Sequence, residues 1–125
     1  MANYSRQREA VLQVLCGTKS HPDATWVYEQ TRKIIPNISL GTVYRNLSNL
    51  QQSGEIVSLG VYGGVERFDA DISEHLHFFC KKCRAIKDVS AKGIIPCEVV
   101  ANELGARIDS VTCVFEGECS DCKNV

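Results

Sequence analysis

Across the first part of the chain apolar residues recur every three to four positions, and beyond Gly54 the spacing shortens toward alternate residues. The stretch SRQREAVLQVLCG sets Val11, Leu12, Val14 and Leu15 on one face of a predicted helix, with Ser5 as N-cap and Gly17 just past its end. ATWVYEQTRKII does the same with Ala24, Val27, Tyr28, Thr31 and Ile34, between Asp23 as cap and Pro36 as terminator. A third helix is predicted from Ser39 through LGTVYRNLSNLQQ to Gly54. It buries Leu40, Val43, Leu47 and Leu50 and leaves Thr42, Arg45, Asn46 and Asn49 outward. EIVSLGVYGGVERFD then supplies two β-favouring runs about Gly63-Gly64, the spacing of a tight hairpin. Three short helices and a hairpin predict a winged helix whose third helix enters the major groove of DNA. Periodicity alone fits equally a small helical core and hairpin with no nucleic-acid role.

From Asp71 the texture changes. HLHFF, AIKDVS and ARIDSVTCVF read as strands, with IPCEVVANELG as a helix between the second and third. The expected class is therefore α+β: a winged helix and hinge over 1–70, then a small α/β domain over 71–125. So short a second domain is insecure on apolar burial alone. No apolar run reaches the ~18 residues that cross a bilayer, and the N-terminus lacks the apolar core of a secretory signal, so the expectation is a cytoplasmic protein with no membrane role. The net charge of −1 hides an asymmetry. Residues 1–50 hold six Lys/Arg against three Asp/Glu, a balance of +3 that leaves −4 for the rest. The basic end is where phosphate contacts are expected. Thr42, Tyr44, Arg45 and Asn46 on the third helix are the candidates for the groove, with Arg8 near phosphates.

Seven cysteines in a cytoplasmic chain point to metal or redox chemistry and away from a disulfide framework. Cys80 and Cys83 form one C-x-x-C pair, Cys119 and Cys122 another, and two such knuckles can present four thiolates to a structural zinc ion. Zinc held there would clasp the second domain and make up for its small core. Two alternatives stand beside this reading: a redox dithiol, or four unrelated buried thiols. A thioredoxin-like pair should follow a strand and open a helix, whereas the Cys80–Cys83 knuckle lies between strand-like runs. A thiol redox enzyme would also need a pocket and a base, and none is evident, so the chain is not expected to be an enzyme. Cys16 and Cys113 read as small buried hydrophobes, and Cys97 as a quiet residue at a helix start.

His75 and His77, two apart on a predicted strand, leave the same face near Asp69, Asp71, Glu74 and Asp88. Imidazole with carboxylate suits Fe(II), Mn(II) or Zn(II), although a solvated His-x-His face has the same spacing.

SHPDATWVYEQ, ISLGTVYRNLSNLQQSGEI, RFD, EHLHFFCKKC and the final CSDC, in this order, resemble the ferric uptake regulator family of metal-responsive repressors across nearly the whole chain. The resemblance implies a homodimer with an N-terminal winged-helix DNA-binding domain and a C-terminal α/β dimerisation domain. It implies a structural zinc on Cys80, Cys83, Cys119 and Cys122. It also implies a regulatory Fe2+ or Mn2+ held between the domains by His21, Asp69, His75, His77 and Asp88. An aspartate at position 88 resembles the peroxide-responsive branch, in which ferrous iron and hydrogen peroxide add oxygen to a ligand histidine, here His21 or His75, and DNA is released. The alternative within the family is a sensor of iron or zinc concentration. Iron sensors often carry a further histidine on the last long strand. Here the aligned position is Val111, so a third site is not expected. A dimer implies a palindromic double-stranded operator.

Overall fold

The computed structural model describes residues 2–72, 76–89, 97–109 and 113–123. They divide into two compact units, Met1–Ser73 and Glu74–Val125.

In the first unit, helices α1 (Ala2–Cys16), α2 (Ala24–Thr31) and α3 (Leu40–Gln52) precede an antiparallel hairpin of β1 (Val57–Tyr62) and β2 (Val65–Asp69). One apolar core joins them, with Val11 and Leu15 from α1, Val27 from α2, Val43, Leu47 and Leu50 from α3, then Ile56 and Phe68. The predicted caps close two of the helices. The Asp23 carboxylate accepts the Trp26 N–H at 2.8 Å, and the Ser39 hydroxyl accepts the Thr42 N–H at 3.1 Å. At the other end of α3, Glu55 N–H donates to Leu50 O and Gly54 N–H to Gln51 O, a Schellman closure around Gly54 at φ +79°. The hairpin turns through Gly63 and Gly64, both at positive φ, as a two-residue loop between paired Tyr62 and Val65 requires.

Several expectations in this unit are corrected. Helix α1 begins at Ala2, so Ser5 lies within it and caps nothing. Helix α2 stops at Thr31, before Pro36, because Ile34 and Ile35 N–H both donate to Thr31 O and tighten the chain into turns. That change of phase sends Ile35 into the core and leaves Ile34 exposed. Leu40, at the first turn of α3, and Cys16, at the last position of α1, are also exposed, since neither falls on its helix's inner face. Asn46, expected outward, is buried. It lies one turn from Val43 and Leu50 and its amide donates to Thr42 O at 2.9 Å, so it belongs to the inner stripe.

In the second unit, β3 (Leu76–Cys80) is the central strand of a three-stranded sheet. It pairs antiparallel with β4 (Ile86–Val89) and parallel with β5 (Val114–Gly117). Burial of Leu76, His77, Phe79 and Cys80 matches that central position. Helix α4 (Cys97–Leu104) lies between β4 and β5 in sequence, as expected. The last strand is shorter than expected. Residues 106–109 form no strand, 110–112 lie outside the described residues, and ladder pairing with β3 begins at Val114.

Candidate metal centres

The four cysteines meet at one end of the second unit's sheet. Cys80 closes β3, and the turn after it is locked by Arg84 N–H donating to Cys80 O at 2.8 Å and Cys80 N–H to Ala85 O at 2.9 Å. Arg84 takes the left-handed conformation, φ +66°, which reverses the chain so that β4 returns beside β3. The other pair arrives through the parallel ladder. Cys80 opposite Gly117, with Lys81 N–H on Gly117 O at 2.9 Å, leaves Cys119 two residues beyond the same point.

All four Sγ atoms lie within 4.8 Å of one another, and those of Cys83 and Cys119 are 3.8 Å apart. A tetrahedral ion with sulfur at about 2.3 Å needs edges of roughly 3.8 Å, so the donor set fits zinc. Cys80 and Cys119 are buried, Cys122 is partly buried and Cys83 is exposed. The backbone N–H groups of Cys83 and Cys119 donate to Cys80 Sγ at 3.4 Å each and, with that of Lys82, pull its thiol down to about 6. Hydrogen bonding with the Cys119 side chain, and then burial, push the Cys122 thiol up to about 12. Four thiols converging on one point, on a knuckle that leads from strand to strand, argue against a redox dithiol and against unrelated thiols.

Each unit also carries a buried histidine beside an aspartate. In the first, the Ser20–Asp23 turn meets β2. His21 is 1% exposed and holds φ +53°, with Nδ1 3.7 Å from Asp69 Oδ2. The other oxygen of Asp69 accepts the Asp71 N–H at 2.9 Å, which fixes the carboxylate. Phe68 N–H donates to Pro22 O at 3.0 Å, while the Arg67 guanidinium donates to Ser20 O at 3.0 Å and, from Nε, to His21 O. In the second unit, His77 and Asp88 are cross-strand partners on β3 and β4, with Nε2 3.5 Å from Oδ1. His75 lies outside the described residues.

On α3, Tyr44 and Arg45 are exposed and Thr42 is half-buried. The Thr42 hydroxyl accepts from Arg45 Nη2 and from the Ser39 hydroxyl, each at 2.9 Å, which holds the Arg45 side chain against the first turn of α3. Asn46 is withdrawn from this face by its burial. Arg8, expected near phosphates, is engaged internally. Its guanidinium pairs with Glu55 and reaches Ser53 Oγ at 3.4 Å, bracing the C-terminal end of α3, because both acceptors sit in the loop that α1 packs beside. Ser53 is also the principal cause that holds the Glu55 carboxyl below its ordinary range. Arg67 and Glu55 escaped the sequence reading. Arg67 stands within the RFD block, where only the aspartate had an evident ligand role.

Comparison with known proteins agrees with this architecture. The profile of the Ferric uptake regulator family matches residues 2–115. The Peroxide operon regulator of Bacillus subtilis is 32% identical over 117 residues, covering 93% of this chain and 81% of that protein. The crystal structure of the Campylobacter jejuni peroxide stress regulator superposes with a TM-score of 0.87 at 31% identity, over 97% of this chain and 92% of that one. The Helicobacter pylori ferric uptake regulator, a structure with three functional metal-binding sites, follows at 0.82 and 25%, over 94% and 80%. With the family profile matched over residues 2–115, a relative 32% identical across 93% of the chain and a fold shared with the Campylobacter jejuni regulator, the chain belongs to the Ferric uptake regulator family.

Proposed function

We propose that this protein is a metal-dependent, DNA-binding transcriptional repressor that senses hydrogen peroxide through oxidation of a ligand histidine. The observation that carries the reading is the buried histidine beside an aspartate in each unit, His21 with Asp69 and His77 with Asp88. Such hard-and-intermediate donors suit iron or manganese, whereas the nearby thiol cluster suits zinc. In this reading His21, Asp69, His75, His77 and Asp88 ligate one regulatory Fe2+ or Mn2+, and Cys80, Cys83, Cys119 and Cys122 hold the structural zinc. Drawing ligands from both units ties occupancy of the site to the arrangement needed for DNA. Ferrous iron, when bound, supplies the reducing chemistry that turns peroxide on its own ligands. His21 and His75 are the targets, and an oxygenated imidazole donates less well, so the ligand set loosens. With manganese the same residues hold the repressing arrangement and their rings stay intact. The relatives named as peroxide regulators support the choice of signal.

The first unit is the winged-helix DNA-binding domain in this proposal, with Thr42, Tyr44 and Arg45 presented by α3 to the major groove of a palindromic operator. Arg8 and Asn46 act there as supports of the fold. The second unit is the dimerisation domain. Val99, Val100 and Leu104 on α4 and Phe115 on β5 are exposed apolar side chains that a second copy would cover. The protein acts in the cytoplasm, where thiols stay reduced.

The test is peptide mass spectrometry of zinc-loaded protein, reconstituted anaerobically with Fe(II) or Mn(II), before and after brief low-dose peroxide. One added oxygen on the peptide containing His21 or His75, in the iron form only, is expected. Unmodified histidines in both forms would replace the proposal with a sensor of iron or zinc concentration, a reading favoured by the structural likeness to the Helicobacter pylori regulator.

A further inference from the structure

We infer that Arg67 is a positioning residue of the regulatory metal site, clamping the Ser20 and His21 carbonyls so that His21 is held in the conformation that turns its imidazole onto Asp69. The inference rests on the proposal that His21 is a metal ligand. Histidine at φ +53° is in a sparsely populated region, and such a residue persists only where its surroundings hold it. Strand β2 supplies those surroundings at three successive residues. Arg67 donates Nε to His21 O and Nη2 to Ser20 O, Phe68 donates its N–H to Pro22 O, and Asp69 faces the His21 ring.

Strand alternation explains how one segment does this. Arg67 and Asp69 leave β2 on the same face, toward the turn, while the Phe68 ring goes into the core. The guanidinium is half-buried, and burial lowers its pKa, opposed by the charge of Asp23 at the far end of the same turn. Its forked donors suit two adjacent carbonyls in a way a single ammonium cannot reproduce. Second-sphere groups that orient a ligand commonly change metal affinity by about 10- to 100-fold.

The experiment is Mn(II) titration by EPR of the zinc-loaded full chain in four forms: unaltered, Arg67→Lys, His21→Ala and the double variant. Zinc stoichiometry and far-UV circular dichroism report folding of each. The expected result is about tenfold weaker Mn(II) binding for Arg67→Lys in the parent and less than about twofold further weakening on the His21→Ala background, since Arg67 acts through His21. Parent-like binding by Arg67→Lys would overturn the inference while leaving His21 a ligand. Equal losses in both backgrounds would overturn it too, because a general structural role weakens binding whether or not His21 is present. Unchanged binding by His21→Ala would remove the ligand assignment itself, and the inference with it.

Discussion

Arg45 and Asn46 adjoin in the chain, yet α3 turns one toward solvent and the other into the core. Their substitutions should separate accordingly. Arg45→Ala is expected to abolish operator binding in a gel-shift titration while dimer and zinc content stay unchanged. Asn46→Ala should instead cost about 1 kcal/mol in urea unfolding, through loss of its bond to Thr42 O, and leave operator affinity of the folded protein within about twofold. The cysteines invite a pH experiment. Cys80 in the folded cluster titrates near 6, below its ordinary 9.0. A lowered thiol pKa stabilises the fold above the ordinary value, and that contribution is lost as pH falls through about 6. Protons then compete for the thiolates, so zinc release to a colorimetric chelator should be faster at pH 5 than at pH 7.5. Both aspartates and both described histidines of the proposed regulatory site were readable as residue types. Arg67 was not, since a side chain that works on a backbone carbonyl 46 positions away leaves no local pattern.

At the level of elements, α3 is the helix whose limits the sequence marks most fully, with Ser39 at one end and Gly54 at the other. Ser39→Ala should lower stability by about 1 kcal/mol by thermal unfolding, since it leaves the Thr42 N–H without its cap and frees Thr42 from one of its two hydroxyl contacts. Gly54→Ala meets no atom within 4 Å, so its expected cost of about 1 kcal/mol comes from the left-handed backbone alone. Helix α2 was harder to delimit. Proline at 36 marks where a helix cannot continue, but the stop at Thr31 came from turns that let Ile35 reach the core. The hairpin was legible because Gly63-Gly64 between alternating runs has few other uses.

The two units differ in what holds them. The first has a continuous core drawn from all three helices and the hairpin, whereas the buried hydrophobic residues described in the second are Leu76, Phe79, Cys80, Ile86 and Cys119. Two of those five are cysteines of the metal cluster. Structural zinc in such settings contributes on the order of 10 kcal/mol to folding. Strong chelation should therefore expose the second unit to trypsin, while the first keeps its helical signal in circular dichroism and its resistance to cleavage. Simultaneous loss of both units would show that the first depends on the second for stability.

The sequence by itself determined the order and kind of the elements, the two C-x-x-C pairs and the histidine and aspartate types. Those properties depend on spacing along the chain, and spacing is local. Tertiary structure decided the rest. It buried Asn46, turned Cys16 and Leu40 outward, paired Arg8 with Glu55, and brought Cys119 to Cys80 through a parallel ladder that no neighbouring residue announces. It also set Arg67 over the His21 turn, because the reach of a long side chain depends on which strand packs beside which loop.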